Sequence, residues 1–273
     1  MRDLGKVKKK VEQLNIIDDI FFQKMAEDIG FCEETISTAM GQKVKVLQVV
    51  PQDSIKNLQG RSVVVDALCE LEDGRNVDVE IQKANDDDHQ KRVRYNASCI
   101  TANITSPGEK FGNVPDVVVI YISEFDMFHG GKAVYHVNRI VQETGKAVYN
   151  GMTEIYINTR IDDGSDIAKL MKIYTEKDAY DYERFPNTSA RKAEFKKNEG
   201  GEQKMSSILR DIAKEWAEEM AQEIAEERAQ EIAEEREEVI IRKLLKKGMP
   251  IEEVAEIAEL LTEDAIKKIA EDI

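Results

Sequence analysis

Residues 62–82 read SVVVDALCELEDGRNVDVEIQ, and the arrangement of the chain follows from how that stretch folds back on itself. Ser62–Leu71 alternates apolar and polar positions, as a half-buried strand does. Asn76–Gln82 alternates again, with Val77, Val79 and Ile81 on one side and Asp78, Glu80 and Gln82 on the other. Strands are depleted in Asp and Glu because those side chains pack poorly on a pleated surface. Three polar side chains in a row on one face therefore call for a reason.

The turn between the two strands, Glu72-Asp73-Gly74, decides what faces what. A two-residue Asp-Gly loop would set Asp66 opposite Ile81 and bury its carboxylate on the apolar side. A three-residue loop, with Gly74 left-handed in a bulge, sets Asp66 opposite Glu80. The bulged loop is preferred because it keeps Asp66 on the polar face and gives Gly74 a role. Directly opposed Cβ atoms lie ~4.5–5.5 Å apart, so the two carboxylates would converge. They repel unless a cation or a proton sits between them. Carboxylate oxygens suit Mg²⁺ or Mn²⁺, with waters completing the shell. Gln82 points to the same side and can donate a hydrogen bond to a bound water or a phosphate, without supplying charge. The alternative is an exposed sheet face whose polar residues merely meet solvent.

Outward from this hairpin, residues 17–41 read as two short helices split at Gly30, and Lys43–Val50 as a strand that stops at Pro51. After the hairpin, the polar run NDDDHQ introduces a helix reaching to about Asn103, with Asn85 or one of the Asp residues as its cap. The continuous apolar run VVVIYIS then reads as a central strand buried on both faces. Further strands are expected around Ala133–Val137, Ala147–Tyr149 and Glu154–Ile157. The fold class expected is α/β (α+β), a mixed sheet flanked by helices.

The tail differs in kind. AQEIAEER occurs in tandem at 221–228 and 229–236. Its apolar row recurs every four residues and drifts by roughly 40° per step on a helix, giving no straight seam. Residues 201–248 are expected to form a long charged helix, solvated or self-associating, and 249–273 a small helical hairpin. The domain expected ahead of them is 1–200. A helix-turn-helix role for the last segment is disfavoured by the acidic residues of its second helix.

Of the formal net charge of −15, −10 falls from Gly201 onward, where 11 Lys/Arg meet 21 Asp/Glu. An acidic surface repels phosphate backbones, so a nucleic-acid site must be a local groove in the first 200 residues. No apolar run is long enough to span a membrane, and the basic N-terminus has no apolar region behind it as a secretory signal would. Cys32, Cys69 and Cys99 are odd in number and too far apart in sequence for a zinc cluster. The chain reads as cytoplasmic and reduced. His89, His129 and His136 show no pairing at metal-ligand spacing, and there is no GxSxG, P-loop or dinucleotide fingerprint.

GRSVVVDALCELEDGRNVDVEIQ followed by KRVRYNAS resembles the PD-(D/E)XK nuclease superfamily, in particular its Rpn-like recombination-promoting nucleases and putative transposases. The pattern is an Asp on one strand, Glu-x-Gln in place of Glu-x-Lys on the next, then a helix rich in Arg and Tyr. The resemblance extends over roughly residues 15–195. It implies a restriction-endonuclease-like sheet core and a magnesium-dependent DNA endonuclease, with a link to recombination or a mobile element. Asp66 and Glu80 would be metal ligands with the carbonyl of Ile81 a third, and Gln82 would orient the attacking water. In the lysine form of the motif the cation also offsets negative charge, which Gln82 cannot do. Arg92 and Tyr95, three apart on one helix face, would grip DNA; Arg94 is turned about 200° away from Arg92 and belongs to the rim. Glu34 is a candidate further acidic ligand, and Asp78 is expected at the rim. The other reading is a catalytically degenerate nuclease fold that binds DNA or protein. A homodimer, through the sheet domain or the C-terminal helix, is expected for either.

Overall fold

In the computed structural model the residues described are 13–55, 61–85, 88–196, 236–258 and 262–271, with Arg210, Arg228 and Ala233 besides. Two helices come first, Asp19–Ala26 (α1) and Ile29–Met40 (α2). They part at Glu27-Asp28 rather than at Gly30, because Asp28 is a cap whose carboxylate accepts from the Phe31 N–H at 2.8 Å. Gly30 lies inside α2. A Cβ there would come within 3.1 Å of Asn187, so its absence admits a neighbouring helix.

The strand expected to stop at Pro51 runs on: β1 spans Val46–Ile55. It is an edge strand, paired on one side only, and a proline can sit there without breaking a ladder. Val63–Leu71 (β2) and Asn76–Gln82 (β3) follow, pairing Ala67 with Val79, Leu68 with Asp78 and Cys69 with Val77. This is the register of the three-residue loop. The Leu71 N–H reaches the Arg75 carbonyl at 2.9 Å, and Gly74 takes φ +86°.

The helix His89–Ile104 (α3) is capped by Asp88, whose carboxylate accepts from the Lys91 N–H at 3.1 Å. The strands Val117–Ser123 (β4), Val134–Val137 (β5), Arg139–Val141 (β6), Lys146–Val148 (β7) and Met152–Asn158 (β8) come next. The main sheet has the order β1-β2-β3-β4-β8-β5; β3, β4 and β8 are parallel and the outer pairs antiparallel. β6 and β7 form a separate two-stranded hairpin, so the strand expected near Ala147 lies outside the main sheet. Every residue of β4 is buried, which requires cover on both faces. On one face Val93, Ala97 and Ile100 of α3 pack with Val119 and Tyr121 of β4 and Tyr156 of β8.

The remaining helices of this unit, Asp166–Thr175 (α4) and Pro186–Lys196 (α5), join α1 and α2 through aromatic contacts. Phe21 meets Phe195 at 5.5 Å, and Phe31 stacks on Tyr174 at 5.8 Å. The architecture is thus a six-stranded mixed α/β sheet flanked by helices, as expected. Cys32, Cys69 and Cys99 are buried and unbridged.

The chain divides into two units, Met1–Leu209 and Arg210–Ile273. In the second, residues 236–246 are helical, and Ile251–Ile257 (α6) and Glu263–Glu271 (α7) follow. Ile241, Val254, Ile266 and Ile269 form its small core. Most of the tandem AQEIAEER segment lies outside the described residues. Among the described residues no helix is long and apolar enough to cross a membrane.

Gly74 has open space where a Cβ would stand, so a substitution there meets only the backbone penalty of a left-handed conformation. Gly74→Ala should lower unfolding free energy by about 1–2 kcal/mol in urea titrations, and Gly74→Asn by less, because Asn tolerates that region. Equal losses for the two variants would mean that Gly74 matters for some reason other than its φ.

Candidate active site

The β2–β3 ladder ends at Ala67 and Val79, and two carboxylates take over where it stops. Asp66 Oδ2 accepts the main-chain N–H of Ile81 at 2.9 Å, and Glu80 Oε1 accepts the N–H of Asp66 at 3.3 Å. Each acid thus bonds to the backbone of the opposite strand. In extended backbone the N–H and C=O of one residue point to the same side. The Ile81 carbonyl therefore also faces β2 and the gap beside Asp66. Gln82, one residue on, turns its carbonyl to the other neighbour, accepting the Glu124 N–H at 3.0 Å.

Sequence reasoning placed Asp78 at the rim, and the structure corrects this. Asp78 is 0% exposed and Glu80 only 5%, because α3 closes over this face of β3 and β4. Neither carboxylate oxygen of Asp78 meets a hydrogen-bond donor among the described residues. Its neighbour is the Glu80 carboxyl, and two carboxyl groups can bond only when one carries a proton. Burial first, and then the neighbouring acids, push Asp66 and Glu80 well above the usual carboxylate range. Burial does the same to Asp78. The alternative of a polar face meeting solvent does not survive: these acids are held inside the protein, close together, and short of countercharge.

A cleft of about 960 Å³ opens onto Asp66 and Glu80. Asp19, in the first turn of α1, lines it and adds its charge to the field that raises Asp66. α1 is tied to the end of β3 by Asp18, whose carboxylate pairs with Lys83 at 2.7 Å. Glu34, the acid singled out from the sequence for a place here, is elsewhere. Its carboxylate accepts the N–H groups of Asn187 and Thr188, at 3.3 and 2.8 Å, in the first turn of α5. Asp19 is the residue that sequence reasoning missed. The signal available was an Asp at the start of a helix whose buried side, Phe21, Phe22, Met25 and Ala26, packs on the sheet.

Arg92 stands across the cleft on α3 and donates to Gln82 Oε1 at 2.9 Å. Gln82 in turn donates to the Ala84 carbonyl at 3.0 Å, which fixes the orientation of its amide. Arg94 also lines the cleft but is exposed, and its charge bears on Asp88 at the start of α3. The Tyr95 hydroxyl donates to the Arg61 carbonyl at 2.6 Å, joining α3 to the approach to β2. His89 is buried against Tyr121, 2.8 Å from its hydroxyl, and Phe125.

The profile of PD-(D/E)XK nuclease family transposases matches residues 28–174, from α2 to α4. The chain belongs to this family. No curated protein and no solved structure matches it. The PD-(D/E)XK match covers the hairpin, the cleft-lining part of α3 and all three parallel strands, so the fold is that of a PD-(D/E)XK nuclease. Its function is of the nuclease type in general, and PD-(D/E)XK nucleases generally use divalent metal ions. Asp19 lies outside the matched range.

The residues present fit such an ion in their chemistry. Among the described residues no three His, Cys, Asp or Glu side chains are grouped to hold a metal by themselves. Two carboxylates and a main-chain carbonyl would instead offer an all-oxygen set, of the kind that suits a hard cation keeping several waters. The unbonded oxygens of Asp78 beneath them mark a deficit of positive charge.

A buried acid whose folded pKa is raised favours the fold below its unfolded pKa and loses that contribution as pH rises through the folded value. Without divalent ions, Asp78→Asn should therefore flatten the fall in stability as pH rises above the ordinary carboxylate value of about 4. It should also make the protein more stable than wild type at the upper end of that rise by about 1–3 kcal/mol. Urea titrations at several pH values measure this; parallel profiles would show that Asp78 carries no such penalty.

Proposed function

We propose that the protein is a metal-dependent DNA endonuclease that hydrolyses phosphodiester bonds, acting in recombination or on behalf of a mobile element. The observation that carries the reading is the pair of carboxylate-to-backbone bonds at the end of the β2–β3 ladder, Asp66 accepting from the Ile81 N–H and Glu80 from the Asp66 N–H. It brings half-buried Asp66, buried Glu80 and the Ile81 carbonyl to one edge of an open cleft.

In this reading Asp66, Glu80 and the Ile81 carbonyl hold Mg²⁺ or Mn²⁺. When bound, the ion lowers the pKa of a coordinated water and stabilises charge on the phosphate. Asp66 and Glu80 would serve as carboxylates, the form in which such side chains ligate a cation. Gln82 orients the attacking water through its amide. Arg92 and Tyr95 approach the DNA from α3, with Arg94, Lys91 and Arg61 giving the cleft a basic margin. Such a margin is what lets a chain of net charge −15 accept a polyanion.

Residues 1–200 would be the nuclease domain, 201–248 a long charged helix and 249–273 a helical hairpin. The protein would work in the cytoplasm, as a homodimer through the sheet domain or the tail, cutting one strand per subunit. A second reading, a catalytically degenerate module that binds DNA or protein without cutting, is favoured by one observation. The Gln82 amide is neutral and already engaged on both sides, by Ala84 and Arg92.

Supercoiled plasmid separates the two. With Mg²⁺ or Mn²⁺ the wild type should nick or linearise it, while Asp66→Ala and Glu80→Ala should each lower the rate by about 100-fold or more, since metal ligation contributes several kcal/mol. Cutting that persists in both variants removes the site assignment. No cutting by wild type with either metal, together with retained DNA binding, selects the degenerate module.

A further inference from the structure

We infer that Arg92 supplies the positive charge for the cleavage step itself, and that Gln82 is the positioning residue that holds its guanidinium over the acids. The inference rests on the nuclease reading and changes what Arg92 is for: a catalytic group rather than a handle on the DNA backbone.

Four observations point this way. First, the acids of the cleft need a countercharge that Gln82 cannot give, and an incoming phosphodiester adds another negative group beside them. Second, the two lysines nearest in sequence to Gln82 and Arg92 are paired with other acids. Lys83, next in sequence to Gln82, pairs with Asp18 at 2.7 Å, and Lys91 pairs with Asp88 at 2.7 Å. Third, Arg92 is half-buried and bonded directly to Gln82 Oε1 at 2.9 Å, so the position where the strand presents a neutral amide ends in a guanidinium. Fourth, Arg92 lines the same cleft as Asp19, Asp66 and Glu80. A residue that only gripped DNA from the rim, as exposed Arg94 could, has no need of that place.

In hydrolysis a water oxygen forms a bond to phosphorus and gives up its proton to solvent. The opposite P–O ester bond breaks, its electron pair leaves with the ester oxygen, and that oxygen takes a proton from solvent. Negative charge grows on the non-bridging oxygens as this happens. A guanidinium held by Gln82 donates to them in the place where charge develops, and because it is held before the reaction it needs little reorganisation. Gln82 does no chemistry on the phosphate in this arrangement; it sets where Arg92 stands.

The test uses the full chain, a duplex oligonucleotide substrate and a double variant. Cleavage is measured in Mg²⁺ under single-turnover conditions, and DNA affinity separately by fluorescence anisotropy in Ca²⁺. Arg92→Ala should lower the cleavage rate by about 10²–10³-fold while changing affinity by no more than about twofold. Arg92→Lys, which keeps the charge, should retain more activity than Arg92→Ala and checks that loss is not misfolding; thermal melts of both accompany it. Gln82→Lys placed on top of Arg92→Ala should recover at least about tenfold, because it returns a cation to the same spot. The inference is overturned if Arg92→Ala weakens DNA binding and leaves the rate of the bound complex intact, or if Gln82→Lys gives no recovery. A wild type inert with every metal sinks the nuclease reading, and the catalytic role of Arg92 with it. An active wild type without rescue sinks the role of Arg92 alone.

Discussion

The Ile81 N–H donates to the carboxylate of Asp66 at 2.9 Å, at the point where the β2–β3 ladder has ended. Much of the site depends on that substitution of a side chain for a backbone partner. A strand continuing in register would have filled the same space with main-chain bonds and left no room for an ion or a substrate. Because the ladder stops, the N–H is satisfied by an acid and the Ile81 carbonyl faces the same gap. Edge strand β1 departs from regular geometry at the same level. Its pairing with β2 passes from Pro51–Ala67 to Asp53–Val65, and Gln52, at φ +51°, falls at the register position of Asp66. Both neighbours of β2 are thus irregular beside the acid that lines the cleft.

Holding acids this way works against stability. Desolvation acts on Asp66, Asp78 and Glu80 in the same direction, and their mutual repulsion adds to it. The sheet tolerates them because cohesion comes from elsewhere: the fully buried β4, the α3 contacts with Val119 and Tyr121, and the aromatic packing of Phe21, Phe31, Tyr174 and Phe195. A rigid frame with a poorly compensated acidic pocket is what one expects when a cation, rather than the protein, completes the charge balance.

The hairpin was legible because the relevant signals are local: alternation assigns faces, and a glycine needed at positive φ selects the loop. VVVIYIS was legible for the same reason. What depended on distant parts of the chain was not. Pro51 looks like a stop until β1 is known to be an edge, where its missing N–H costs no ladder bond. Gly30 looks like a helix break until α5 is seen to approach it. Asp78 lies on the same face as Glu80, so alternation gave its direction correctly; only the lid formed by α3 makes it the more deeply buried of the two. Glu34 and Asp19 are both acids on early helices. Nothing in either local sequence says that one meets the first turn of α5 and the other opens onto the cleft.

Arg92 illustrates how a motif can be incomplete along one strand and complete in space. Read linearly, Asp66, Glu80 and Gln82 lack a positive charge, and the next residue, Lys83, is drawn away to Asp18 on α1. The strand-to-helix connection after Lys83 brings α3 back across the same face, and α3 presents Arg92 to the Gln82 amide. A hydrogen bond between a neutral amide and a guanidinium costs little desolvation compared with burying a lysine amid the same acids, and the planar fork keeps its remaining donors in fixed directions. The charge therefore arrives oriented, from an element that is itself anchored by Val93, Ala97 and Ile100 in the core, and its position is as well determined as that of the acids it faces.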